Sequence, residues 1–405
     1  MKKSKTLKRP VSLLIAFLMI FSILPDRTLA RPMEDETISA PTYLAIEVES
    51  GQILVGKNYD KKLAVASMSK LMTYYLVKKA IQEGRYKLTD KVKITPASEK
   101  LTTDGYSNMA LKAGEVLTVD ELLKGLMVVS GNDAAVALAI NDAKNEENFA
   151  GKMNQMAEKL GLEKSNFVNA SGIPLANDDQ NMMSPRDLLT LARAIVKDFP
   201  EVKEYATIKI LSMPKRNFSK ESTFHSLGNI PGMMGLKTGL TRRAGYCFAG
   251  YFDLSKFDST KDFEILTVVM GAKSEAQRVE ESEKLVKKVT DNFSRKLIVK
   301  TDLVLEKVKN TRLSPREIKF YPKNDFYAIV ANSAKVKKEV KLDYPKNQNL
   351  KQGEDYGDII LTLGNEEIGR LDITVKNNYD SAGFMDRLKG FFGNIFHYLG
   401  LMIFN

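Results

Sequence analysis

Ser67 and Lys70 are the residues whose types and spacing most clearly permit chemistry. They open a stretch in which apolar residues recur at helical spacing, and on a helix a three-residue step places two side chains on one face. A serine hydroxyl is a weak nucleophile until a base removes its proton, and a lysine can be that base when burial or another cation favours its neutral form. The amino end of a helix also favours a developing oxyanion. The pair therefore predicts a serine nucleophile activated by lysine.

The same spacing also arises by chance in a chain rich in serine and lysine. Residues 212–215 read Ser-Met-Pro-Lys and repeat the pattern. Pro214 makes this second run a poor start for a helix, whereas Ser67 begins a clear helical pattern. The context therefore favours Ser67 and Lys70 over Ser212 and Lys215.

A second motif, Ser130-Gly131-Asn132, follows a helical stretch at residues 119–129. We expect it on a turn at the end of that helix. There the Ser130 hydroxyl could relay a proton, and the Asn132 amide could hold a substrate carbonyl. Taken alone, such a triplet is more often an ordinary turn.

A third motif, Lys237-Thr238-Gly239, lies in a strand-rich region. On an edge strand beside a cleft it would present a cation and a hydroxyl to a carboxylate. Gly239 would let the substrate backbone come close. A solvated strand explains this triplet equally well by itself, but three such motifs in this order are much more specific.

The composition excludes several other kinds of chemistry. The chain has 405 residues with two His and one Cys, which leaves no Cys/His cluster for a structural zinc site and no internal disulfide. Cys247 stands in an apolar run typical of a buried strand, so we expect it to be a core residue.

Part of the net charge of +11 lies in residues 1–30, which have the pattern of a targeting segment. Residues 1–30 hold six basic residues and one acidic residue, an apolar run at 11–24, and small residues at 28 and 30. This pattern predicts a signal peptide over 1–30, with an uncleaved membrane anchor as the alternative. Five of the eleven charges belong to this segment, and +6 remain on the other residues. Because no dense basic stripe appears among them, we expect no nucleic-acid binding.

Residues 31–292 combine two kinds of periodicity. Helical stretches and strand-like runs both occur, the former at 67–84, 119–129, 148–160, 185–196 and 274–292, the latter at 43–48, 52–55, 244–253 and 263–270. Helices with an antiparallel sheet in one unit predict an α+β fold, an α/β sandwich.

The sequence after residue 292 shows two further patterns. Short alternating runs between polar turns predict a small all-β domain over 293–378, among them 302–308, 317–321, 326–330, 340–342, 359–363 and 371–375. Residues 381–405 then place Phe384, Leu388 and Phe391 on one helical face. This pattern predicts an amphipathic helix lying in a membrane surface. The alternative is a helix packed on its own protein.

Together the motifs resemble those of the low-molecular-mass penicillin-binding proteins, the serine-type D-alanyl-D-alanine carboxypeptidases. The resemblance covers nearly the whole chain after residue 30 and implies a β-lactamase/transpeptidase-like catalytic domain. It implies that Ser67 is acylated with Lys70 as its base, and that Ser130 transfers a proton. By the same resemblance, Asn132, Lys237, Thr238, Gly239 and the backbone of Leu240 bind the substrate, with the backbone N–H groups of Ser67 and Leu240 as the oxyanion hole.

The resemblance implies peptidoglycan stem peptides and β-lactams as ligands and no metal or organic cofactor. It also implies an exported enzyme held peripherally at the outer face of the bacterial cytoplasmic membrane. Three alternatives stay open: a D,D-endopeptidase, a β-lactamase, and a non-catalytic wall-binding protein. Class A β-lactamases need a Glu after the middle motif. Residues 163–178 contain no Glu-x-x-Leu-Asn pattern, and Gly131 stands where those enzymes have Asp. These two differences favour a peptidase.

Overall fold

The computed structural model describes residues 33–102 and 105–383. The predicted signal peptide lies outside these residues, as does the predicted terminal helix apart from residues 381–383, so both stay predictions. The described residues divide into two compact units. One contains the described residues from Met33 to Lys296 together with Ile329–Ser333, and the other contains Leu297–Ala328 and the described residues from Ala334 onward.

Five antiparallel strands form the central sheet of the first unit. They are β1 Thr42–Glu47, β2 Ile53–Lys57, β3 Met233–Thr241, β4 Gly245–Asp253 and β5 Glu264–Ala272. The order across the sheet is β2-β1-β5-β4-β3, so β3 lies at an edge. Strand β1 pairs with β5, with Thr42 opposite Met270 and Glu47 opposite Ile265. The first strand is thus held by the last one.

The strands of this sheet are apolar on both faces because both faces are covered. Leu44 and Ile46 of β1 belong to one buried cluster, while Tyr43 and Ala45 belong to another. Side chains alternate across a strand, so the two clusters lie on opposite sides of the sheet. Cys247 of β4 is fully buried in the first cluster, as predicted. This layered arrangement confirms the α+β prediction.

The described part of the first unit has six helices of ten residues or more, and of these Pro185–Asp198 and Glu275–Asn292 make the main helix contacts with the sheet. The six helices are α1 Lys70–Gln82, α2 Val119–Val128, α3 Asn132–Ala143, α4 Glu146–Lys159, α5 Pro185–Asp198 and α6 Glu275–Asn292. Shorter helical turns occur at Ala66–Ser69, Pro96–Glu99, Lys100–Thr102, Val202–Ala206, Pro214–Arg216 and Leu254–Lys256. Short strand pairs join Leu63–Ala64 to Met182–Met183, Lys91–Lys93 to Val116–Thr118 and Ile210–Met213 to Phe218–Glu221.

Local sequence explains where two of these helices begin. Ser184 accepts a hydrogen bond from Asp187 N at 3.1 Å and Pro185 takes the first helical position, as the sequence predicts for α5. At the start of α2, Thr118 Oγ1 accepts from Glu121 N, and the Glu121 carboxylate accepts from Thr118 N at 2.7 Å. This capping box fixes the helix that leads to Ser130.

Helix α3 was not anticipated from the sequence, which predicted only a turn at residues 130–132. Nearly every residue of α3 is buried, including Asp133 and Ala134. A helix that is buried on all sides carries no polar face, so its sequence lacks the amphipathic period by which helices are recognised.

The second unit is built from strands, which confirms the all-β prediction. Its main sheet has the order Glu306–Lys309, Glu317–Pro322, Glu366–Val375, Gly357–Leu363, Val336–Leu342. A smaller pair joins Leu313–Ser314 to Asp380–Ser381. The run predicted at 302–308 becomes a strand only from Glu306. Among the described residues, no helix combines the length and the apolar character needed to cross a membrane.

Candidate active site

Ser67 lies in a tight turn that immediately precedes α1. The turn spans Ala66–Ser69, and Ser69 Oγ donates a hydrogen bond to Ala66 O at 2.8 Å. Ala66 has φ of 48°, a left-handed conformation that costs an alanine about 1 kcal/mol or more. The sequence predicts a helix from Ser67, but α1 begins at Lys70, so Ser67 lies about one turn before the helix start. Strain of this kind collects at functional sites.

Lys70 is fully buried, and its amine has three oxygen neighbours. Lys70 Nζ lies 2.8 Å from Ser67 Oγ, 2.6 Å from Asn132 Oδ1 and 2.6 Å from Ser171 O. The amide and carbonyl oxygens can only accept, so a neutral amine donates its two N–H groups to Asn132 and Ser171. Its lone pair is then left for the Ser67 hydroxyl. This is the geometry that a general base requires.

The environment of Lys70 favours its neutral form. Burial lowers the pKa of Lys70 well below its usual range, and the nearby Lys237 cation lowers this pKa further. The Asp133 carboxylate acts in the opposite direction on the same pKa. A lysine with a depressed pKa has a free lone pair near neutral pH, which a solvent-exposed lysine does not.

Ser130 and Lys237 form a second serine–lysine pair. Lys237 on β3 is fully buried, and its Nζ donates to Ser130 Oγ at 2.9 Å and to Thr238 O at 3.0 Å. Burial and the Arg278 cation lower the pKa of Lys237 to about 7. Ser130 is buried with φ of 59°, so it is a second strained residue at this site. The two pairs bring all three motifs together.

The edge strand β3 presents Thr238, Gly239 and Leu240. Thr238 is buried, whereas the Leu240 side chain is 53% exposed. A Cβ at Gly239 would lie 2.9 Å from Val65 O and 3.2 Å from Met68 Cγ. The absence of a side chain at Gly239 therefore lets β3 pack against the turn that carries Ser67, while its predicted role toward the substrate stays a prediction.

Ser171 is a residue of the site that sequence reasoning missed. Its carbonyl oxygen is one of the acceptors for Lys70, and the backbone around it is held by Asn169. Asn169 Oδ1 accepts from Ser171 N at 3.2 Å and from Gly172 N at 2.7 Å. Asn181 donates to Asn169 O at 2.9 Å. A contribution through a main-chain carbonyl has no residue-type signature, and only the turn signal of the Ser-Gly pair could have pointed to it.

Gly172 locks this loop against the turn before Ser67. Its φ is 82°, and an added Cβ would lie 2.1 Å from Ala66 O. We expect Gly172→Ala to displace Ala66 and Ser67 and to slow acylation of Ser67 about a hundredfold, since a shift of about 1 Å in a catalytic group can cost that much. Stopped-flow or gel-based acylation rates measure the effect.

Gly161→Ala is the matched control for this prediction. Gly161 has φ of 69°, but nothing lies within 4 Å of the added Cβ. It therefore carries the backbone strain without the collision. Equal acylation rates in the two variants would contradict the assigned role of Gly172.

The residues that usually perform other hydrolytic chemistry lie elsewhere. His225 lies 3.8 Å from the Glu275 carboxylate and 3.4 Å from Ser222 O, away from Ser67, and His397 is outside the described residues. Across 33–102 and 105–383, His, Cys, Asp and Glu side chains form no group of three that could hold a metal ion.

A serine facing a buried lysine, between a helical layer and the edge of an antiparallel sheet, defines the class: serine enzymes that act through a lysine-activated acyl-enzyme. The chain belongs to the D-alanyl-D-alanine carboxypeptidase family, the S11 peptidases, whose sequence model matches residues 28–274. A second model, the C-terminal domain of penicillin-binding protein 5, matches residues 293–381.

Individual relatives agree with this assignment. The chain is 30% identical to the D-alanyl-D-alanine carboxypeptidase DacC of Escherichia coli, over 94% of this chain and 94% of that protein. Penicillin-binding protein 5 of Haemophilus influenzae has a similar structure, with a TM-score of 0.66, 27% identity and coverage of 85% of this chain and 98% of that one. Ampicillin-bound penicillin-binding protein D2 of Listeria monocytogenes has a TM-score of 0.54 at 30% identity, over 62% of this chain and 96% of that one.

Proposed function

We propose that this protein removes the terminal D-Ala from peptidoglycan stem peptides through an acyl-enzyme on Ser67. The observation that carries the proposal is the Lys70 amine, which is buried, lies 2.8 Å from Ser67 Oγ, and has its two N–H groups directed to Asn132 Oδ1 and Ser171 O. Family membership supplies the reaction. Penicillin reacts with the same serine and leaves a long-lived acyl-enzyme.

Acylation begins when Lys70 takes the Ser67 proton and Ser67 Oγ attacks the carbonyl carbon of the penultimate D-Ala. The backbone N–H groups of Ser67 and Leu240 donate hydrogen bonds to the carbonyl oxygen and stabilise the negative charge that forms on it. The C–N bond then breaks, and the leaving D-Ala nitrogen takes the proton of the Ser130 hydroxyl. Ser130 recovers a proton from the protonated Lys70. Lys237 and Thr238 hold the terminal carboxylate.

Deacylation uses the same base. Lys70 is neutral again after acylation and accepts a proton from the attacking water, which bonds to the ester carbon. The ester C–O bond then breaks, and Ser67 Oγ regains the proton from Lys70. The enzyme returns to its starting state with one water consumed and one D-Ala released.

The direct test offers three substrates to the purified enzyme. A diacyl-D-Ala-D-Ala peptide should release free D-Ala, and penicillin should add its whole mass to the protein. A crosslinked muropeptide measures endopeptidase activity, and hydrolysed penicillin in solution measures β-lactamase activity. Cleavage of the crosslink faster than release of D-Ala would overturn the carboxypeptidase assignment. Rapid turnover of penicillin without an adduct would indicate a β-lactamase.

The pH dependence of kcat/KM follows from the two lysines. Lys70 must be neutral to accept a proton, so activity falls as the pH drops through its depressed pKa. Lys237 must be charged to attract the substrate carboxylate, and with its pKa near 7 activity falls again above about that pH. We expect a bell-shaped profile. Lys237→Arg stays charged and should lose the alkaline limb, and an unchanged limb in this variant would contradict the assignment.

We also propose export and a peripheral location at the outer face of the cytoplasmic membrane. The charge and apolar pattern of residues 1–30 and the amphipathic pattern of 381–405 support it. Deleting 381–405 should move the protein from the membrane fraction to the soluble fraction while the rate of penicillin acylation stays unchanged. Full retention of a chain whose signal peptide has been cleaved would exclude the terminal anchor.

A further inference from the structure

Asp133 is a fully buried carboxylate that the catalytic steps above do not use. It follows Asn132, whose side chain holds Lys70. We propose that Asp133 is a positioning residue for the reaction, because its carboxylate ties residues 107–111 to the start of α3 and its charge acts on Lys70. The inference rests on the proposed role of Lys70 as base.

The first observation is the set of N–H groups that the carboxylate accepts. Met109 N lies 3.0 and 2.9 Å from the two oxygens, Leu111 N lies 3.1 Å from Oδ2, and Ala134 N lies 2.9 Å from Oδ1. Two of these donors belong to residues 107–111 and the third belongs to α3. One buried carboxylate therefore joins two chain segments, with charge-assisted hydrogen bonds that are stronger than neutral ones.

The joined segment reaches the catalytic residues directly. Asn132 N donates to Ser107 O at 2.9 Å, so the backbone of Asn132 is anchored on residues 107–111. Asn132 Oδ1 in turn orients the Lys70 amine. If residues 107–111 move, Asn132 moves with them, and the lone pair of Lys70 is no longer directed at Ser67.

Arg216 holds the same segment from its carbonyl side. Its guanidinium donates to Met109 O at 3.1 Å and to Ala110 O at 3.0 Å, and it pairs with Glu115 at 3.0 Å. Residues 107–111 are thus held from two sides: the Asp133 carboxylate binds their N–H groups, and the Arg216 guanidinium binds their carbonyl oxygens. We call this pair of contacts the clamp. Ala110 within it has φ of 53°, a conformation that persists only when surrounding contacts impose it.

The charges that face this region come from four elements. Lys70 of α1 is influenced by Lys237 of β3 and by Asp133 of α3, and Asp133 is influenced by Arg216 of the turn Pro214–Arg216. The two lysines repel each other, and Asp133 is the anion that offsets this repulsion. Removing its charge favours neutral Lys70 still more. In Asp133→Asn, loss of the clamp would therefore lower the acylation rate, whereas loss of the charge would shift the pH dependence of that rate.

The experiment compares Asp133→Asn, Arg216→Gln and the wild type in penicillin acylation across pH. Asp133→Asn should slow acylation about tenfold to a hundredfold by loosening the clamp, and its acid limb should move to lower pH. Arg216→Gln removes the hydrogen bonds to the carbonyl oxygens of residues 109 and 110, so it should also slow acylation. Because it removes a cation and not an anion, its acid limb should not move to lower pH.

Glu47→Gln is the control for removing a buried carboxylate that binds backbone elsewhere. Glu47 is buried on β1 and accepts from Glu49 N at 2.7 Å and Ser50 N at 2.6 Å, in a hairpin remote from the three motifs. It should lower thermal stability and leave the acylation rate and the acid limb as in the wild type.

Each outcome bears on the inference. Wild-type rate and limb in Asp133→Asn would overturn it, and so would equal limb shifts in Asp133→Asn and Arg216→Gln. If Asp133→Asn does not fold, an Arg216→Gln variant that acylates at the wild-type rate would overturn the clamp. A wild type that gains no penicillin adduct would contradict the proposed function instead, so the two failures are distinguishable.

Discussion

Replacing Ser67 with alanine will leave a protein that gains no mass when it is incubated with penicillin and releases no D-Ala from a diacyl-D-Ala-D-Ala peptide. The reason is that the acyl group has no other acceptor at the site: Ser69 Oγ is buried and donates to Ala66 O, and Ser130 Oγ is held by Lys237. Loss of a catalytic serine typically costs about a millionfold in kcat. Intact-protein mass spectrometry gives the result directly.

The chain supplies its own control for this substitution. Ser212 belongs to the second Ser-x-x-Lys run, lies on an exposed strand position, and precedes an exposed Lys215. Ser212→Ala should form the penicillin adduct at the wild-type rate. An adduct on Ser67→Ala, or its loss in Ser212→Ala, would show that the nucleophile lies elsewhere.

Replacing Lys70 with methionine should reduce the rate of penicillin acylation by about a thousandfold while Ser67 is still present. General-base catalysis contributes about two to four orders of magnitude, and methionine keeps the length of the side chain without the amine. The variant leaves Asn132 Oδ1 and Ser171 O without their donor, so a lower thermal midpoint is expected as well.

Lys215→Met is the counterpart of this variant, because Lys215 has the same spacing to a serine and is exposed. It should acylate normally with unchanged stability. The two effects in Lys70→Met are separated by measuring the adduct at a temperature well below its thermal midpoint. Acylation within tenfold of the wild type under those conditions would mean that another group removes the Ser67 proton.

Much of this architecture could be predicted because local sequence and tertiary position agree. Apolar residues recur at helical spacing in the stretch after Ser67, so this periodicity predicts α1, and Ser184-Pro185 marks the start of α5. The three motifs are short but occur in a fixed order, and their side chains do meet: Lys70 contacts Ser67 and Asn132, and Lys237 contacts Ser130.

Other features depend on contacts that no local pattern encodes. Helix α3 is buried on all sides and so lacks a period. The contribution of Ser171 is a main-chain oxygen, and any residue type carries one. The need for a glycine at position 239 comes from close packing against Val65, which lies far away in sequence and close in space. The contact between Lys237 and Ser130 joins residues 107 positions apart in the chain, and no local pattern encodes it.

The pairing of β1 with β5 has a consequence for when this chain can become active during synthesis. Ser67 emerges early, but β3, which carries Lys237, pairs within the sheet with β4, β4 also pairs with β5, and β5 also pairs with β1. Closing a sheet between its first and last strands demands contacts of long sequence separation, which form slowly. A nascent chain that stops before Glu264 holds the nucleophile and its base yet cannot assemble the edge that completes the site. We therefore expect the site to form only after β5, which ends at Ala272, has been made.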